Sequence, residues 1–296
     1  YEIRNCDWSS DVCSSDLDRV TQPIERASGL PNAAYLDPDV FTFEREQLLG
    51  RTWAGLVHTS ELPDNKYVMP VDFMGLPLLV TRGDEGQIKV FHNVCSHRGM
   101  PLVRDAGPVE SRLRCPYHSW NYGLDGELLG TPHIGGVGVH DADGFDHSRH
   151  GLKSVRCATW MGVVFINLDG RAPPFEEHIG PLQTRWEAFM GTRAVDLLHC
   201  ADSGSDLEFT VQSNWKLPVE NYCESYHLPW VHPGLNSYSP LDKHYCILLN
   251  EYASGQGSLS YRLSDVAGTR LPTFPDWPAE DRKSTRLNSS HSSVSR

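Results

Sequence analysis

The sequence contains no apolar run long enough to cross a bilayer; the longest largely apolar stretch, Trp160–Leu168, is far too short. It has no basic tract and carries a net charge of −12, which argues against nucleic acid or an anionic membrane surface as a partner. It has no internal repeat, and no low-complexity tract outside its two ends. Its eight cysteines show no disulfide framework: Cys157, Cys200, Cys223 and Cys246 have no regular spacing. Such scattered cysteines suit a reduced, cytoplasmic protein in which thiols bind metal or pack in a core.

The ends lack the logic of folded protein. The tail from Asp281 to His291 has neither apolar period nor turn signals, and it reads as a translation of a common short-read library adapter. Asp7–Leu17 matches the opposite strand of that oligonucleotide in another frame. Residues 1–17 and 281–296 are therefore expected to be adapter-derived, leaving 18–280 as natural sequence cut at both ends. The two end segments carry −3 and +3, so trimming leaves the charge unchanged. What remains can bury a substantial core.

What is present is metal chemistry. Cys95-Ser96-His97 and Cys115-Pro116-Tyr117-His118 are separated by seventeen residues. Two thiolates and two imidazoles in this mixed order are the donor set of a Rieske [2Fe–2S] cluster, with cysteines on one iron and histidines on the other. A structural zinc site competes, but zinc fingers usually keep cysteines with cysteines and histidines with histidines. Backbone amides around Arg98-Gly99 and the Tyr117 hydroxyl are candidate hydrogen-bond donors to the sulfurs. The ligand loops carry no second cysteine pair to staple them together, as expected of a lower-potential cluster.

A second constellation runs from Asn214-Trp215-Lys216 through Glu220-Asn221-Tyr222-Cys223-Glu224-Ser225-Tyr226-His227 to His232. Two histidines and a carboxylate suit a non-heme Fe(II) site with open positions for O2 and substrate. On a helix from Val219 to Leu228, Glu224 and His227 would share one face, with Pro229 ending the helix. An electron carrier needs only the first site; a chain with both reads as an oxygenase.

The remaining texture predicts an amphipathic helix over Pro38–Trp53 and short strands at Tyr67–Val71, Leu78–Thr81 and Ile88–Asn93. A buried strand is expected at Trp160–Leu168 and a linker marked by Pro173, Pro174 and Pro181. A helix over Leu182–Met190 and a strand over Leu207–Val211 follow. The expected organisation is α+β: an N-terminal helical segment at 18–63, a β-rich Rieske domain at 64–170 and a truncated catalytic domain at 171–280.

Leu30-Pro31-Asn32-Ala33-Ala34-Tyr35-Leu36-Asp37-Pro38, both ligand pairs and the Asn214–His232 string together resemble the catalytic α subunits of the Rieske non-heme iron oxygenases, the aromatic-ring-hydroxylating dioxygenase family. The resemblance implies a Rieske domain joined to a helix-grip catalytic domain. Cys95, His97, Cys115 and His118 would hold the cluster, and His227 and His232 the mononuclear Fe(II). Glu224 would be the carboxylate bridging that iron to a neighbouring subunit's cluster. The family's third iron ligand, a late Asp, has no counterpart before the chain ends. The resemblance also implies a ferredoxin or flavin reductase as electron donor, O2, a small organic substrate, and a homotrimer or α/β hexamer. A Glu rather than an Asp at 224, one residue closer to Glu220-Asn221, is similar to the branch acting on quaternary ammonium compounds. Trp215, Tyr222, Tyr226 and Trp230 could cage such a cation, although most of them are expected in the core. The alternative is a Rieske electron-transfer protein without an oxygenase site.

Overall fold

The Tyr67–Asn93 region folds as the alternating apolar runs require. In the computed structural model, which describes residues 14–190, 209–250, 252–260 and 262, these runs are β2 (Tyr67–Phe73), β3 (Leu76–Arg82) and β4 (Ile88–His92). They form an antiparallel meander, and Gly75 and Gly86 supply positive φ at its turns. With β1 (Ala54–His58), β5 (Gly107–Pro108), β9 (Ser154–Trp160) and β10 (Val163–Asn167) they build a seven-stranded sheet in the order β1-β10-β9-β4-β3-β2-β5. Ahead of it lie three short helices, α1 (Ser14–Val20), α2 (Ala33–Leu36) and α3 (Pro38–Phe43).

Leu78–Thr81 is buried throughout because both faces of the sheet are covered. Leu78, Val80, Val90, Val155, Val164 and Ile166 pack with Leu62 on one face. Leu79, Phe91 and Val68 on the other join Leu102, Leu113, Trp120 and Tyr122. Each such fully buried aliphatic or aromatic side chain contributes about 1.5–3 kcal/mol. The second core also contains Cys95 and Cys115, so the thiols lie inside the apolar interior.

Covering that face is a small three-stranded sheet, β6 (Arg112–Arg114), β7 (Asn121–Gly123) and β8 (Leu128–Gly130), in sequence order. Its β7–β8 turn docks on the large sheet in three ways. Thr81 Oγ1 donates to Leu124 O (2.9 Å), Lys89 pairs with Asp125 (2.7 Å), and Gly126 passes so close to Phe91 that a Cβ would lie 2.4 Å from the ring.

Several expectations are corrected. The helix predicted over Pro38–Trp53 continues from α3 into a π-helical turn, Glu44–Leu49, and stops at Gly50; Phe41 and Leu48 stay exposed, while Trp53 is buried against Phe175. The buried strand expected at Trp160–Leu168 is β10, which begins only at Val163 because Met161 and Gly162 take positive φ and reverse the chain from β9. Pro181 lies inside α4 (Phe175–Met190), not in a linker. Residues 209–211 form no strand, and Leu207 and Glu208 lie outside the described residues.

The chain divides into two compact units, Tyr1–Leu207 and Glu208–Arg296. The second contains α5 (Lys216–Cys223), α6 (Leu228–Val231), α7 (Pro233–Tyr238) and the two-stranded β11 (His244–Asn250)–β12 (Ala253–Ser258). His244 joins these parts, meeting Ser239 Oγ (2.8 Å) and Gln256 Oε1 (3.1 Å).

Candidate metal centres

The two Cys/His loops of the first unit are built on one plan. Cys95 N donates to Met100 O (2.9 Å) and Cys115 N to Trp120 O (2.8 Å), five residues on in each case. Gly99 N returns to Cys95 O (3.0 Å) and Ser119 N to Cys115 O (3.0 Å), four residues back. The returning residue is left-handed in both loops, with φ of 73° at Gly99 and 60° at Ser119. Each loop thus projects a histidine outward from a tight turn and leaves its cysteine at the base.

The loops face each other. The His97 and His118 rings are 4.7 Å apart, and the Cys95 and Cys115 thiols are neighbours. Both cysteines are 2% exposed, whereas His97 is at the surface and His118 half-buried. Burial first, and then Cys95, push the Cys115 thiol above its ordinary pKa, although the Tyr117 and His118 amides oppose this by donating to its sulfur. Burial, His118 and Arg98 hold His97 below the usual imidazole value. Trp120 stacks on His97 at 4.6 Å with 7° between the planes.

The aromatic residue that meets a sulfur is Tyr122, not Tyr117. The Tyr122 hydroxyl lies 3.2 Å from Cys95 Sγ and accepts from Ser96 N (3.1 Å), with the residue fully buried. Tyr117 is 57% exposed, with its ring against His118. The signal for Tyr122 was strand alternation: on β7 it pairs with Leu113 and points inward with it, one residue out of phase with its neighbours.

The donor set suits a two-iron cluster. The thiols pair at one end, the imidazoles at the other, and His118 Nδ1 is buried without a protein hydrogen-bond partner. An unpaired buried nitrogen is what a ring that ligates through that atom presents to a metal.

In the second unit the expected helix over Val219–Leu228 is two helices with a break. α5 stops at Cys223 because Glu224 is extended and its carboxylate takes over as acceptor for nearby groups. It accepts from the Tyr226 amide and from His227 Nδ1, so a turn rather than a helix face brings Glu224 to His227. Burial would raise the Glu224 pKa, but these hydrogen bonds outweigh it and hold the carboxyl below its ordinary value. Pro229 sits in the first turn of α6, where its missing N–H costs nothing, so it opens that helix rather than ending the previous one. His227 and His232 flank this single turn, and their rings come within 5.2 Å. With Nδ1 engaged by Glu224, Nε2 is the nitrogen His227 can offer a metal. Among the described residues of this second unit no third His, Cys, Asp or Glu completes a group that could hold a metal ion with His227 and His232.

The aromatic residues expected mostly in the core are at the surface: Tyr222, Tyr226 and Trp230 are 74%, 74% and 68% exposed. Tyr226 and Trp230 form a pair 5.4 Å apart, while Lys216 covers the half-buried Trp215. No helix among the described residues is long and apolar enough to cross a membrane.

Two family models match the chain. Residues 52–141 match the Rieske [2Fe-2S] domain, and residues 192–293 match the catalytic domain of the ring hydroxylating alpha subunit. The second match overlaps the C-terminal stretch that reads as adapter translation. The glycine betaine monooxygenase oxygenase subunit of Chromohalobacter salexigens is 34% identical over 70% of this chain and 43% of its own length. The carnitine monooxygenase oxygenase subunit of Escherichia coli is 28% identical over 86% of this chain and 67% of its own. A solved quaternary ammonium Rieske monooxygenase, studied for carnitine oxidation by gut microbiota and inter-subunit electron transfer, superposes with a TM-score of 0.65 at 27% identity. That superposition covers 75% of this chain and 58% of the other. The chain thus spans between about two fifths and two thirds of the length of these relatives.

Proposed function

This chain belongs to the α subunits of the Rieske oxygenases, and on that premise we propose that it is part of a terminal oxygenase component that hydroxylates a small quaternary ammonium compound. Its electrons would come from a ferredoxin or flavin reductase and its oxidant would be O2. When bound, the [2Fe–2S] cluster supplies single electrons and the mononuclear iron a site for O2 activation.

Cys95 and Cys115 would hold one cluster iron, and His97 and His118 the other. The apolar core around the thiols keeps water from the sulfurs, and the Tyr122 hydroxyl would donate to a ligating Cys95 thiolate. His227, through Nε2, and His232 would hold the mononuclear iron. Glu224 keeps the His227 proton on Nδ1 and so fixes which nitrogen is free. Oligomerisation as a homotrimer or α/β hexamer, with Glu224 serving a neighbour's cluster, belongs to the same proposal.

The observation that carries the reading is the pairing of His227 with His232 beside Glu224, which an electron carrier does not need. The substrate class rests on Glu224 within Glu-Asn-Tyr-Cys-Glu, on exposed aromatic side chains beside it, and on the glycine betaine and carnitine monooxygenases among the relatives. The test is a count of iron and acid-labile sulfide per chain in the full-length gene product after Fe(II) loading. About three irons to two sulfides supports an oxygenase. About two to two, with no turnover of glycine betaine or carnitine, overturns it in favour of an electron-transfer protein.

A further inference from the structure

The two ligand loops share a plan but are not closed in the same way. The Cys115 loop is the tip of a β-hairpin: Arg114 pairs with Asn121 and Leu113 with Tyr122 directly behind it. The Cys95 loop has no ladder behind it. β4 ends at His92, and the returning chain at Leu102–Val103 is in no strand. In place of a ladder stands one side chain. Asn93 Oδ1 accepts from Leu102 N and Val103 N (3.1 Å each), and Asn93 Nδ2 donates to Val103 O (2.7 Å). Its own amide donates to Pro77 O (2.9 Å) in β3, and the residue is 4% exposed.

We propose that Asn93 is a positioning residue for the cluster, a side-chain substitute for the missing ladder that holds the Cys95–His97 loop shut. The inference rests on the reading of Cys95, His97, Cys115 and His118 as cluster ligands. The chemistry asks for asparagine. Two amide donors and one carbonyl must be met at once, and a carboxamide alone among side chains of this length is both donor and acceptor. Aspartate would keep the two N–H contacts but turn an oxygen toward Val103 O. Alanine would leave the buried Leu102 N–H and the part-buried Val103 N–H and C=O without these partners. The neighbouring Cys95 N–Met100 O bond is part of the same loop, so opening at Leu102–Val103 loosens the turn that carries both ligands.

Asn167 provides the control. It is 0% exposed and also makes three hydrogen bonds, to Thr52 O, Asp169 Oδ1 and Ala172 N, away from either ligand loop. Four variants of the full-length protein are compared with the wild type: Asn93→Ala, Asn93→Asp, Asn167→Ala and Cys95→Ser. The readouts are the rate at which a chelator strips the visible cluster band and amide hydrogen exchange at Leu102 and Val103. Asn93→Ala should lose the cluster at least about ten-fold faster, with Leu102 and Val103 exchanging about ten-fold faster, which is what one lost hydrogen bond is worth. Asn93→Asp should fall between in its rate of cluster loss, and serves as the folded variant should alanine not fold. Asn167→Ala should leave both readouts within about two-fold at a temperature where it is folded. Equal cluster loss in Asn93→Asp and Asn167→Ala, or unchanged exchange in a folded Asn93→Ala, overturns the proposal. Cys95→Ser retaining a wild-type cluster band overturns the ligand assignment instead.

Discussion

The Tyr122 hydroxyl stands 3.2 Å from Cys95 Sγ while accepting the Ser96 amide. A Cys95 thiolate bound to iron would carry no proton, so the Tyr122 hydroxyl would be the donor to it. Hydrogen bonds to the ligating sulfurs favour the reduced, more negative cluster. Tyr122→Phe should therefore lower the midpoint potential of the bound cluster by about 40 mV, the one-electron equivalent of about 1 kcal/mol. Protein-film voltammetry or a spectroscopic redox titration reads it directly. An unchanged potential would mean that the proton points elsewhere.

The parts of this centre legible in the sequence are those governed by local geometry. Cys-x-His and Cys-x-x-His are spaced to fit tight turns closed by bonds four and five residues apart, and both loops close that way. Strands β2 to β4 were visible because their apolar runs are short and bounded by Gly-containing turns. What escaped depended on contacts distant in the chain or on side chains competing with the backbone. The sequence points to Tyr117 as the sulfur donor, but it lies exposed in the loop, whereas Tyr122 pairs with Leu113 on β7 and is buried against Cys95. Glu224 looked like a helical residue, yet its carboxylate claims the Tyr226 amide and the His227 ring and so ends the helix. The helical spacing rule and the turn bring the same two side chains together by different routes.

Two glycines separate backbone strain from steric overlap. A Cβ on Gly99 would meet nothing within 4 Å, but φ is +73° there. Gly99→Ala should therefore cost only the left-handed penalty, about 1–2 kcal/mol. Gly126 has φ of +89° and also faces Phe91, whose ring would lie 2.4 Å from a new Cβ. Gly126→Ala should cost that penalty plus about 1–3 kcal/mol of overpacking. Urea unfolding of both variants checks the ranking, and a Gly99→Ala loss as large as that of Gly126→Ala would contradict it.

The same β7–β8 turn carries a pH-dependent contact. The hydrogen bond and charge of Lys89 hold the Asp125 carboxyl below its ordinary value, so the folded state binds its proton less readily than the unfolded chain. The contribution is complete above the ordinary carboxylate range and is lost as pH falls through the depressed folded value. Because both partners are about half exposed, Asp125→Asn should cost under about 1 kcal/mol at neutral pH, and less in high salt. Its stability curve should rejoin the wild type at acid pH. A difference that persisted to the acid limit would assign the effect to lost packing.

His118 ties stability to the cluster. Its Nδ1 is buried with no protein partner, and an unpaired buried nitrogen costs about 1–3 kcal/mol. Bound to iron, that nitrogen would be satisfied, so stripping the cluster should lower the melting temperature of the wild type. His118→Leu removes the orphan and keeps an apolar side chain beside Tyr117 and His97. It should abolish cluster binding, yet the stripped variant should melt no lower than the stripped wild type, and up to a few degrees higher. Calorimetry on the stripped and loaded forms of both proteins gives the comparison. If the stripped variant instead melts several degrees lower, the imidazole has a structural partner of its own, and the buried nitrogen is not held in reserve for a metal.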